Sequence, residues 1–177
     1  AWNEFRNFAF RNVNFKDANV KELDIQNQSI EVEKLRSRAE KSYVNYFDVN
    51  GNFIIENNIG DPQLSSDYFN VNLSFFSEEM NGEFYLAGKL SNWEFTDLNQ
   101  FKYDIESKSY NCDLKLKQGF YDYLIHYEPA SEDEFPWIME GSFFQTQNDY
   151  EIIIYHTAIG SRFDRIVGYL NRPFFLR

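Results

Sequence analysis

Alternation of apolar and polar residues dominates this chain. From Asp67 to Phe75, the residues Phe69, Val71, Leu73 and Phe75 fall on one face, and Asn70, Asn72 and Ser74 on the other. That is the period of two of a strand with one side to water. Asn111 to Lys117 repeats it and turns Cys112 inward, and Tyr121, Tyr123, Ile125 and Tyr127 form a further stripe. Glu151-Ile152-Ile153-Ile154-Tyr155 differs: it is a continuous, β-branched run, the pattern of a strand covered on both sides. Turn residues separate these runs. Asn50-Gly51 lies between Tyr46-Phe47 and Phe53-Ile54-Ile55 and reads as a hairpin turn, because both residues accept positive φ. Asn81-Gly82, Gln118-Gly119 and Ile159-Gly160 mark further breaks.

Helical periodicity is confined to Lys16–Leu23 and to Val32–Lys41, the second of which reads equally well as strand-turn-strand through Ile30, Val32 and Leu35. Turn signals every dozen residues or so describe an all-β antiparallel sandwich. A boundary near Gly60-Asp61-Pro62 divides the chain into a smaller antiparallel β-segment, 1–62, packed on an immunoglobulin-like, early-set sandwich, 63–177.

Composition narrows the function. Of 177 residues, 43% are hydrophobic and 25% charged, enough apolar material for a core. Seventeen basic against 28 acidic residues leave a net charge of −11, which repels phosphate backbones and anionic membrane surfaces, so no nucleic-acid partner is expected. Aromatic residues make up 19%, a bias that suits pleated strands. One cysteine permits no intrachain disulfide. No apolar run approaches the ~20 residues of a membrane span. An opening at Ala1-Trp2-Asn3 without an initiator Met is expected of a processed or trimmed fragment.

Candidate chemistry is sparse. Asp48-Val49-Asn50-Gly51-Asn52 imitates the start of a calcium loop, but Phe53 and Ile59 occupy the positions that require Gly and a bidentate acid. His126 and His156 have no ligand at metal-site spacing, and each reads as a structural histidine beside an aromatic strand. Cys112 reads as buried packing. Glu132-Asp133-Glu134 reads as a solvated loop rather than a glycosidase carboxylate pair. Phosphate-loop, dinucleotide and nucleophile-elbow patterns do not occur. Neither catalysis nor a cofactor is expected.

Phe84-Tyr85-Leu86-Ala87-Gly88-Lys89-Leu90-Ser91-Asn92-Trp93, followed by Tyr110 to Leu116, Gly119 and Tyr121-Asp122-Tyr123, resembles the glycogen- and starch-binding modules of the early-set immunoglobulin group. That resemblance implies Trp93 lying flat under a sugar ring, with Asn92 as its polar partner. Leu90 stands where those modules carry Phe, and Glu128 to Pro136 replaces their second platform aromatic. A core or rim position for Trp93 is therefore the preferred reading.

A second resemblance spans the chain from Asn3 to Tyr169. Asn3-Glu4-Phe5-Arg6-Asn7-Phe8, Asp48 to Phe53, Asp67-Tyr68, Leu116 to Tyr123, Glu140 to Tyr150 and Asp164 to Tyr169, in that order, look like the C-terminal part of the type 9 secretion system plug proteins. It implies a non-enzymatic periplasmic protein associated with the outer membrane. Its partner would be the outer-membrane translocon barrel, whose periplasmic mouth such proteins seal. The family also carries an N-terminal β-region and a secretory signal, so this chain would correspond to its C-terminal half.

Overall fold

The computed structural model of the chain describes residues 3–45 and 47–174, and it is all-β. The strands are β1 (Arg6–Ala9), β2 (Val20–Asp24), β3 (Ser29–Val32), β4 (Phe53–Ile55), β5 (Tyr68–Phe76), β6 (Gly82–Ala87), β7 (Gln100–Asp104), β8 (Ser109–Lys117), β9 (Gly119–Pro129), β10 (Asn148–His156) and β11 (Arg165–Phe174). Nine of them form one sheet in the order β1-β9-β6-β7-β8-β5-β3-β2, with β4 also on β9. It folds over on itself into a nearly closed, barrel-like sandwich. β7 makes the corner: Phe101 and Gln100 pair with β6, and Lys102 to Asp104 pair with β8.

The alternating stripes become the core. Phe69, Val71, Leu73 and Phe75 of β5 face Tyr121, Tyr123, Ile125 and Tyr127 of β9, none of the eight more than 2% exposed. Rings interlock between the layers, with Phe75 edge-on to Phe84 at 5.1 Å and Phe10 edge-on to Phe69 at 5.9 Å. Such pairs add about 0.5–1.5 kcal/mol each beyond the area they bury. Cys112 is buried as expected. Ser74, expected to face water, is also buried, because Leu35 closes over β5 by pairing with Phe75 and Lys34 donates to the Ser74 hydroxyl.

Local signals and long-range pairing diverge at several places. Lys16–Leu23 is not helical: β2 begins at Val20 and pairs with β3. Val32–Lys41 follows the strand-and-turn alternative. Among the described residues the helical pieces are instead α1 (Pro62–Ser65), with Asp61 as its cap, and a single 3-10 turn at Lys89–Ser91. Asn50 and Gly51 adopt positive φ of 56° and 73°, as a tight turn requires. They do not close a hairpin, since β4 pairs with β9; Tyr46 lies outside the described residues. Of the strands before residue 62, β1 and β4 hydrogen-bond to β9 and β3 joins β5 in parallel, while β2 pairs with β3.

The largest departure is at β10 and β11. They form a separate two-stranded antiparallel ladder. The Ile152–Ile154 run, read as covered on both sides, is 42–55% exposed, because none of the nine sheet strands lies against it. No helix among the described residues is long and apolar enough to cross a membrane.

Candidate functional site

Trp93 follows the corner where β6 ends. Gly88 lets the chain pass within 3.0 Å of the Asp122 carbonyl, measured from where a Cβ would stand. After the 3-10 turn, Asn92 and Trp93 both take left-handed φ, 54° and 62°, held by their N–H groups donating to Lys89 O at 2.9 Å and Gly88 O at 3.0 Å. This backbone swings the indole outward, onto Phe5 edge-to-face at 6.0 Å and over Gly51. A Cβ on Gly51 would stand 2.6 Å from the ring's Cη2, so this glycine is the seat of the indole. The ring stays half-exposed, at 48%.

Beside Trp93 opens a cleft of about 370 Å³. Its apolar wall is Phe5, Ala87, Trp93, Phe95 and Leu124; Asn3, Gln147, Asn148 and His126 supply polar edges. Phe95 lies flat on the His126 imidazole, 4.4 Å between centroids and 5° from parallel, and stacks on Tyr85 at 5.2 Å. Burial lowers the His126 pKa, with Glu128 opposing, which favours the neutral ring. The Tyr85 phenol donates to Glu83 at 2.5 Å, and that bond, with burial, pushes it up to about 12. Asn92 is not part of the cleft lining: its side chain meets Lys89 Nζ at 3.4 Å and Glu94 Oε1 at 3.3 Å. The sequence reading names Trp93 but omits Phe95, Gln147 and Asn148. Only the spacing of Phe95, two residues beyond Trp93, could have pointed to one of them.

The motif runs meet beside this cleft. Glu140, with its side chain 1% exposed, accepts from Arg6 Nε at 2.9 and 3.1 Å, from Arg38 Nε at 2.8 Å and Nη2 at 2.5 Å, and from the Ile125 backbone N–H at 2.8 Å. It thereby occupies the β9 backbone donor of Ile125, two residues beyond the Tyr123 that pairs with the first residue of β1. Asn3 Nδ2 donates to Glu140 O at 2.9 Å, and Glu4 accepts from Gln147 N–H at 3.0 Å and from the Tyr43 hydroxyl. Asp122, wholly buried, accepts from Val49 N–H at 2.5 Å and Gly51 N–H at 3.2 Å, while its Oδ1 has no partner. Burial is the main cause that pushes this carboxyl up to about 6, and nearby Asp48 adds to it. Gln118 bridges Asp67 N–H and Arg11 O. These residues tie segments far apart in sequence to the stretch from Gln118 to Ile125.

The other candidates are placed as follows. The Cys112 thiol is pushed up to about 12 by burial, so it is no nucleophile at neutral pH. Asp48 spends its oxygens on Asn50 N–H at 3.0 Å and Phe5 N–H at 3.4 Å, inside the turn. Glu134 of the acidic loop accepts a hydrogen bond from the Tyr127 hydroxyl. His156 is exposed on β10. Among the described residues, no group of three or more His, Cys, Asp or Glu side chains could hold a metal ion.

No protein-family model matches the chain, and no curated protein matches it in sequence. The chain is similar to a solved structure, that of a hypothetical protein from Parabacteroides merdae. Identity is 27%, the TM-score is 0.86, and the match covers 98% of this chain. It covers 45% of the Parabacteroides protein, so this chain spans less than half of that protein's length.

Proposed function

We propose that the chain is a non-enzymatic protein-interaction module: a plug subunit that binds and seals the periplasmic side of the type 9 secretion translocon in the outer membrane. The observation that carries this reading is the convergence of the resemblance motifs. The Asn3–Phe8, Asp48–Phe53, Leu116–Tyr123 and Glu140–Tyr150 runs, scattered over the sequence, are joined by the Glu140, Glu4 and Asp122 hydrogen bonds beside β9 between Asp122 and Ile125. They therefore act as one unit of structure, as a family signature should. The test is a pull-down from detergent-solubilised outer membrane with the tagged chain as bait. Capture of the large translocon barrel is expected. If neither this chain nor a plug protein that contains it captures the barrel, the reading fails.

A second reading, carbohydrate binding, is favoured by one observation: the cleft combines the half-exposed Trp93 and Phe95 rings with the amides of Asn3, Gln147 and Asn148. Flat rings flanked by amide donors and acceptors are what a sugar face and its hydroxyls require. Malto-oligosaccharide titration followed by Trp emission should then saturate and should lose its signal in Trp93→Ala. A flat titration rejects this reading.

A further inference from the structure

The β10–β11 ladder presents apolar side chains on both of its faces. Its register places Ile152 opposite Leu170 on one face, and Ile153 opposite Tyr169 on the other. All four are 42–61% exposed, and Ile166 and Val167 beside them are 60% exposed or more. A two-stranded ladder is marginal by itself, and contiguous apolar patches of this kind mark contact surfaces. Strands apolar on both faces belong in the interior of a layered structure. The outer edge of each strand also carries backbone N–H and C=O groups that the ladder does not use, which is the template for strand addition.

Charge sets the strip apart from the rest of the molecule. Residues 1–147 carry 13 basic against 25 acidic side chains, whereas residues 148–174 carry three of each. A neutral apolar strip on an acidic body has the character of an interface core. Two further facts decide what covers it. A second copy meeting hairpin to hairpin would bury one face of each and leave the other in water, while bringing two acidic bodies together. The Parabacteroides protein, in contrast, matches 98% of this chain and has more than half of its length outside the match.

We propose that the β10–β11 hairpin is the docking strip for a second β-domain on the same polypeptide, the counterpart of the part of the Parabacteroides protein that lies outside the match. That domain would offer a free strand edge between two apolar surfaces, so that both faces of the hairpin are covered at once. The inference does not depend on the plug reading.

Hydrogen–deuterium exchange resolved by peptide tests it on two proteins, the 177-residue chain and the whole Parabacteroides protein. In the chain, amides of β10 and β11 exchange at least 100-fold faster than those of β5 and β8. In the Parabacteroides protein, the matched hairpin is protected to the level of its core strands. Fast hairpin exchange in both proteins overturns the proposal. Hairpin protection that appears in the chain as its concentration rises, together with a dimer mass, assigns the strip to a second copy and overturns it too. Ile153→Asp supplies an independent arm. It leaves the unfolding midpoint of the chain unchanged, and the matched substitution strips protection from the Parabacteroides hairpin. Unfolding of the chain by Ile153→Asp would show that the hairpin is already packed on its own body, and the proposal would fall.

Discussion

Removing Glu140 should cost this chain a large share of its stability. In Glu140→Ala, the Arg6 and Arg38 guanidinium groups, 10% and 12% exposed in the native fold, lose the carboxylate that each approaches within 2.9 Å, and the Ile125 N–H loses its acceptor. Breaking a buried ion pair from one side typically costs about 3–5 kcal/mol, because the partner charge stays desolvated. Against a net stability of about 5–15 kcal/mol that is decisive. At about 2–4 °C per kcal/mol for a domain of this size, Tm should fall by roughly 6–20 °C. Urea unfolding followed by Trp emission gives the midpoint and slope, and an unchanged slope shows that the two-state comparison is sound. The control is Glu31→Ala at the pair with Lys21, whose side chains are 28% and 48% exposed; it should cost less than about 1 kcal/mol. Replacing Arg6, Arg38 and Glu140 together by Met, Met and Leu should recover most of the loss, since an apolar cluster of similar volume avoids desolvation. If Glu140→Ala and Glu31→Ala fall within about 1 kcal/mol of each other, the cluster is not what holds the motif segments to β9.

Three further outcomes are expected. The Asp122 carboxyl sits at about 6 in the fold against 3.8 in an unfolded chain, so between those values the folded state binds the extra proton. Stability should therefore decline by at most about 3 kcal/mol as pH rises from 4 to 6 and then level off. Urea midpoints of Asp122→Asn should lack that component when compared with wild type at each pH. Gly119→Ala places a Cβ 2.3 Å from Ile54 O and should force β4 off β9, at a cost of about 1–3 kcal/mol or more in the same assay. Cys112 should be inert to a thiol reagent such as DTNB in the native state at pH 8 and should react fully in urea; rapid native labelling would contradict its burial.

The strands were far more legible than their partners. Alternation is local, so the stripes of β5, β8 and β9 can be read from adjacent residues. Pairing is not local: nothing near Phe53 says that β4 will lie on β9, and the polar neighbours of Asn50-Gly51 suit any tight turn. Lys16–Leu23 has a weak helical period that loses to the ladder between β2 and β3. In the candidate site, Trp93 is visible because a Gly-to-Asn-Trp corner is a sequence motif. Asn3, His126 and Gln147 arrive from three other segments, and only the fold assembles them. Glu140 could be quoted within a motif, yet a single acid does not announce that two arginines more than a hundred residues upstream will close on it.

The span of that closure bears on how the chain is made. Arg6 and Glu140 are 134 residues apart, and the strand that carries Arg6 pairs with β9. At about 5–20 residues per second on the ribosome, β1 would wait roughly 7–27 s for the acid that neutralises it. During that interval its apolar residues Phe8 and Ala9 have no completed sheet to join. Local pieces such as the β2–β3 hairpin can form early, but closure of the barrel-like sheet is a late event with high contact order. Refolding in vitro should accordingly be slow for a domain of this length, and the nascent chain depends on being kept from aggregation until Glu140 has emerged.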